Sequence, residues 1–152
     1  MQVHAATQRE YAHDADRVWQ LTGDFGGLKN WLPGITACRV EGSGAHADGG
    51  NAVRIVDVMD GSVTKERLES IDAANRRYSY RILEAKGLDA SADYVATFSV
   101  TPIDANRCRV DWAASFRVPE GFPADKTERA RQKVAGMYSM LLQALEGALA
   151  RG

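Results

Sequence analysis

The chain has 152 residues, the size of one ordinary domain, and a chain this long buries roughly 68–70% of the surface its unfolded form exposes. Its composition, 45% hydrophobic and 26% charged, is that of a globular domain and excludes disorder, collagen, coiled coil and a small disulfide scaffold. Lys and Arg number 19 against 20 Asp and Glu, so the basic excess of a nucleic-acid binder is missing and no nucleic-acid partner is expected.

The first segment, Gln2–Tyr11, reads as a strand. Asp14 then stands where a helix N-cap belongs, with Val18, Trp19 and Leu21 giving an apolar face and Gly23 ending the segment. Residues 24–34 read as a second short helix, stopped by Pro33-Gly34. A strand-rich stretch follows. Ile35–Glu41 is strand-like, 42–50 is a turn-rich loop, and 52–59 runs into Asp60-Gly61, a strong hairpin signal, with 63–71 as the partner strand. Residues 77–83 alternate cleanly, with Tyr78, Tyr80 and Ile82 on one face. Tyr94, Ala96, Phe98 and Val100 alternate in the same way, as do Cys108, Val110, Trp112, Ala114, Phe116 and Val118.

One apolar and one polar face per strand is the pattern of an antiparallel sheet covered on one side. The cover comes last: Asp125 and Glu128 stand at capping-box spacing, and a helix runs from there to about Leu149. Val134, Met137, Leu141, Leu142 and Leu145 form its apolar face. No linker or repeat divides the chain, so residues 1–152 are expected to form one domain.

That order of elements, together with several residue groups, resembles the START-like superfamily, the helix-grip fold of the birch-pollen allergen. The groups are Val18-Trp19 with Phe25 and Trp31-Leu32-Pro33, then Val53-Arg54, Gly61 with Glu66-Arg67-Leu68-Glu69 and Asp72, then Tyr78-Ser79-Tyr80 and Asp93-Tyr94. Bacterial polyketide cyclase/dehydrase-like proteins and plant abscisic-acid receptors are the groups most similar to it. The resemblance implies an α+β helix-grip fold: a seven-stranded curved antiparallel sheet wrapped around a long C-terminal helix, with two short helices after the first strand. It also implies an internal cavity for a small hydrophobic molecule (a lipid, an isoprenoid or a polyketide-like compound). Fold alone does not assign function, which has to be argued from the site.

The most pointed polar pair is Arg54 and Glu66. If Val56 and Val58 face inward, so does Arg54; if Leu68 faces inward, so does Glu66. On one concave face the two can pair, or can hold a ligand carboxylate, carbonyl or hydroxyl. The plainer alternative leaves one of them outward as a surface charge. In the receptors the resemblance points to, the glutamate forms a polar floor for the ligand, a role that falls on Glu66. The lysine they use falls near Thr36 here, which speaks against a carboxylate held by lysine. The resemblance also places a ligand-contacting tyrosine at Tyr94. Tyr138 sits on the helix face and is expected to do likewise, while Trp31, Tyr80, Phe98, Trp112, Val134 and Met137 are candidates for the apolar wall. Asp60-Gly61 and residues 86–92 are expected at the entrance.

An enzyme of the polyketide cyclase/dehydratase type is the alternative in the same cavity, with Glu66 as base and Tyr94 or Arg54 stabilising an enolate. No nucleophile elbow or dinucleotide fingerprint is present. His4, His13 and His46 lack metal-ligand spacing and are expected to be exposed, so neither metal nor cofactor is expected. Cys38 and Cys108, without a CxxC pair, read as free thiols in a reducing compartment. Residues 1–7 carry no charged start before an apolar run, and no stretch approaches the roughly 18 apolar residues of a membrane helix. A cytoplasmic protein without membrane insertion is expected, either monomer or homodimer.

Overall fold

A computed structural model of the chain describes residues 1–44 and 51–151. Strand β1 (Gln2–Tyr11) leads to helix α1 (Ala15–Thr22), and β2 (Ile35–Glu41), β3 (Val53–Val58), β4 (Val63–Asp72), β5 (Arg77–Glu84), β6 (Val95–Asp104) and β7 (Arg107–Arg117) follow. Helix α2 (Ala124–Arg151) closes the chain. The seven strands form one curved antiparallel sheet in the order β1-β7-β6-β5-β4-β3-β2. Consecutive strands pair as hairpins except that β1 crosses to the far edge beside β7, in a register running from Gln2↔Arg117 to Tyr11↔Cys108. The fold is the α+β helix-grip arrangement.

Local chemistry explains the boundaries. Asp14 caps α1, its Oδ1 accepting from the backbone N–H of Asp16 at 2.7 Å and of Arg17 at 3.3 Å. The second short helix expected over 24–34 is instead one 3-10 turn, Leu28–Asn30. Gly26-Gly27 before it and Pro33-Gly34 after it leave too few good helix formers for more. The hairpin at Asp60-Gly61 forms: the Gly61 N–H reaches the Val58 carbonyl at 2.9 Å, and Gly61 takes φ +89°, which a side chain would oppose. Helix α2 begins at Ala124, two residues before the first helical position that Asp125 as N-cap implies. Asp125 therefore lies in the first turn rather than at a cap, and its carboxylate accepts from Arg129 at 3.2 Å. The loop expected over 42–50 lies outside the described residues from position 45 onward.

The alternation of β5, β6 and β7 becomes burial. Tyr78 and Tyr80, Ala96, Phe98 and Val100, and Cys108, Val110, Trp112, Ala114 and Phe116 all point to the concave side. Against them α2 lays Tyr138, Leu142, Leu145, Ala148 and Leu149. The packing is aromatic: Phe98 meets Trp112 edge-on at 5.2 Å, and Trp31 lies 5.7 Å from Phe98 and 5.8 Å from Trp112. On the outer face the arginines stand among carboxylates, Arg81 with Glu69, Arg107 with Asp104 and Arg109 with Asp111. No helix among the described residues is long and apolar enough to cross a membrane.

Candidate functional site

The hairpin register places Arg54 on β3 directly opposite Glu66 on β4. Both point to the concave side, 1% and 8% exposed. Arg54 Nε donates to Glu66 Oε1 at 2.6 Å, and Nη1 donates to the Phe25 carbonyl at 3.1 Å. The guanidinium also lies 4.2 Å from the Phe25 ring centre and 4.7 Å from that of Tyr80. Burial opposes the arginine's charge, but the Glu66 carboxylate beside it and the phenol oxygens of Tyr78 and Tyr80 outweigh it, so Arg54 holds its proton more tightly than usual. Of the two sequence alternatives for this pair, inward and mutually paired is the one that forms.

Three phenols stand next to it. Trp112 Nε1, which can only donate, reaches the Tyr80 hydroxyl at 3.1 Å. The hydroxyls of Tyr94 and Tyr138 are hydrogen-bonded to each other. Tyr138 stacks on Trp112 at 4.4 Å with the rings 5° from parallel, and Tyr94 stacks on Phe116 at 5.7 Å. Tyr94 is placed by its neighbours. Asp93 takes the left-handed conformation at φ +49° and accepts from Arg81, turning the chain into β6, while the Tyr94 carbonyl receives the Ile82 N–H at 3.0 Å. Burial pushes these phenols up, Tyr94 to about 12 and Tyr80 and Tyr138 upward as well. They are neutral hydrogen-bond donors at ordinary pH.

Between the sheet and α2 lies a cavity of about 330 Å³. Arg54, Glu66, Tyr80, Tyr94, Trp112, Met137 and Tyr138 border it. Trp31, Phe98 and Val134 do not. Trp31 and Phe98 fill the closed half of the concave space, and Val134 packs on the core one turn before the cavity begins. The rest of the wall comes from residues not named as cavity candidates from the sequence: Leu28 and Leu32 in and after the 3-10 turn, Ile35, Thr64, Ile82 and Leu141. Val56 and Val58, inward by the same alternation as Arg54, line it too. Thr64 could have been found from Glu66 by the two-residue period of a strand.

At the mouth stand Ser62, Ala85, Lys86 and the half-exposed Met137. Lys86 Nζ donates to Asp60 Oδ2 at 3.2 Å, tying the β3–β4 turn to the segment after β5. The Ser62 hydroxyl and N–H on the Asp60 carboxylate hold it down at about 2, with Lys86 adding to the effect. Among the described residues no group of His, Cys, Asp and Glu is placed to hold a metal. His4 is exposed, His13 is half-buried rather than exposed, and His46 lies outside the described residues.

Comparison with known proteins agrees with this architecture. The family described as polyketide cyclase / dehydrase and lipid transport matches residues 2–150. Among solved structures, a protein of Bacillus thuringiensis is 31% identical with a TM-score of 0.79, over 97% of this chain and 99% of that one. A START superfamily protein from Mycobacterium smegmatis is 16% identical with a TM-score of 0.74, over 97% of each chain. The Zhui aromatase/cyclase from Streptomyces sp. R1128 is 20% identical with a TM-score of 0.68, over 98% of this chain and 92% of that one. At such identities the last two show the shared fold alone. A search of curated proteins found no match. With the family pattern spanning almost every residue, the chain belongs to the polyketide cyclase / dehydrase and lipid transport family.

Proposed function

We propose that the protein binds a small hydrophobic molecule in the cavity between the concave face of the sheet and α2. The observation that carries this reading is the cavity itself: an apolar wall interrupted by one buried ion pair and three converging phenols. A volume of about 330 Å³ falls in the range of small-molecule sites, and such sites combine apolar lining with a few fixed polar groups. Burying roughly 300 Å² of apolar ligand surface contributes about 7 kcal/mol before entropic costs, to which hydrogen bonds from the fixed polar groups add, without covalent chemistry.

A second reading, cyclisation or dehydration of a polyketide-like substrate in the same cavity, draws on the family and on the presence there of a carboxylate beside phenols. Glu66 would be the base and Tyr94 the enolate's donor. Arg54 occupies Glu66 Oε1, leaving Oε2 for that work. Turnover of a linear aromatic polyketide precursor, abolished in Glu66→Gln, would establish the enzyme. An unchanged product profile with and without protein leaves binding as the function.

Binding is tested with an uncharged apolar dye such as Nile red. Leu141 borders the cavity from α2, so Leu141→Trp places an indole inside it. Leu141→Trp and Tyr94→Ala are each expected to weaken dye binding at least about tenfold, on the order of 1.4 kcal/mol. Unaltered affinity in both variants, with the fold intact by circular dichroism, would defeat the proposal.

A further inference from the structure

Resting on the binding reading above, we infer that the cavity selects an uncharged ligand carrying a hydroxyl donor and an oxygen acceptor, and that Glu66 turns away carboxylates. The argument is a count of hydrogen-bonding groups. Arg54, the cavity's buried cation, is already paired: the Glu66 carboxylate lies 2.6 Å from its Nε, the Phe25 carbonyl takes a second of its five N–H groups, and aromatic rings cover its faces. Its charge is balanced by that carboxylate, so a second anion gains little from it. Glu66 uses only Oε1, and among the described residues no donor reaches Oε2, although Glu66 borders the cavity. That oxygen is an unused acceptor carrying negative charge.

The phenols supply the complement. Tyr80, Tyr94 and Tyr138 bring three hydroxyl protons into one cluster, and Trp112 adds a donor rather than an acceptor. Tyr94 and Tyr138 share one proton between them and Tyr80 could share at most one more, so at least one phenolic proton has no acceptor within the cluster. The site therefore presents one free neutral donor and one free anionic acceptor on an otherwise apolar wall. A phenol or alcohol that also bears a second oxygen satisfies both. A carboxylate satisfies only the phenol and brings a like charge towards Glu66 in a site poor in water, where such repulsion is least screened. At the mouth, Lys86 is engaged by Asp60 and does not offset this.

The test compares three naphthalenes of similar shape by calorimetric titration at pH 7: 2,6-dihydroxynaphthalene, 2-naphthoate and the hydrocarbon 2,6-dimethylnaphthalene. In the wild-type protein the diol is expected to bind at least about tenfold more tightly than the naphthoate, and more tightly than the hydrocarbon. Glu66→Gln should narrow the diol–naphthoate gap by about tenfold, by admitting the anion and weakening the diol. If Glu66→Gln fails to fold, the double replacement Arg54→Met with Glu66→Leu removes the ion pair as a unit and should narrow the gap in the same way. Naphthoate binding as tightly as the diol, or a gap unchanged when Glu66 is replaced, overturns the inference. Hydrocarbon binding without a preference for the diol overturns it while leaving the binding reading intact. If none of the three binds, both fall together.

Discussion

Glu66→Ala alone is expected to destabilise the fold by about 3–5 kcal/mol, whereas Arg54→Met combined with Glu66→Leu should stay within about 2 kcal/mol of the wild type. The asymmetry follows from the burial of Arg54, which is 1% exposed. Removing Glu66 strips the guanidinium of its counter-charge and leaves it the Phe25 carbonyl and the faces of aromatic rings. A lone buried charge is far more costly than a buried pair, and a pair is often replaceable by apolar groups of similar volume. Urea unfolding midpoints of the two variants decide the matter. A Glu66→Ala protein as stable as the wild type would mean that Arg54 is hydrated in the native state.

The second large effect is alkaline unfolding. All five tyrosines, Tyr11, Tyr78, Tyr80, Tyr94 and Tyr138, are buried, and burial raises each phenol above its ordinary value of 10.0. Below pH 10 the phenols are neutral in the folded and unfolded chain alike and contribute nothing to the pH dependence. Above it the unfolded chain releases protons that the fold retains, so stability falls with rising pH until the folded values are passed, about 12 in the case of Tyr94. Each phenol contributes a slope of about 1.4 kcal/mol per pH unit, and five together reach about 7 kcal/mol per unit, comparable to the whole stability of a domain. The protein should therefore unfold near pH 11, with tyrosinate absorbance rising in one cooperative step that coincides with loss of the circular dichroism signal. Five phenols titrating independently near pH 10 in an intact fold would contradict the burial described here.

The polar pair was legible because two local rules converge on it. Strand alternation puts Arg54 on the side of Val56 and Val58, and a turn centred on Asp60 pairs residues equally far from it; Arg54 and Glu66 each lie six positions away (60 − 54 and 66 − 60). Tyr80, Tyr94 and Trp112 were legible in the same way, as inward positions of alternating strands. Depth was not. Alternation says which face a side chain takes, not whether that part of the face holds a cavity or packed rings, and so Phe98 looked equivalent to Tyr80 although Trp31 and Trp112 close over it. Val134 shares the apolar stripe of α2 with Met137 and Leu141 but lies a turn too early to reach the cavity.

Backbone groups leave no such trace in a sequence. The Phe25 carbonyl that accepts from Arg54 has no signature in side-chain order, because every residue carries one. Residues 24–34 read as a helix up to the Pro33-Gly34 stop, yet only the 3-10 turn Leu28–Asn30 forms there. The glycines before that turn and the Pro33-Gly34 stop after it confine it to three residues, which set Leu28 and Leu32 against the cavity rather than on a helix face.

The central claim is that the cavity between the sheet and α2 is where a neutral hydroxylated apolar molecule binds. Backbone amide chemical-shift mapping of the full chain, titrated with 2,6-dihydroxynaphthalene, tests it most directly. The expected result is saturable shifts concentrated at Val56, Thr64, Glu66, Tyr94, Tyr138 and Leu141, which line one cavity from three elements, β3, β4 and α2, and from the residue just before β6. Shifts confined to the convex face of the sheet, or none at saturating ligand, would contradict it.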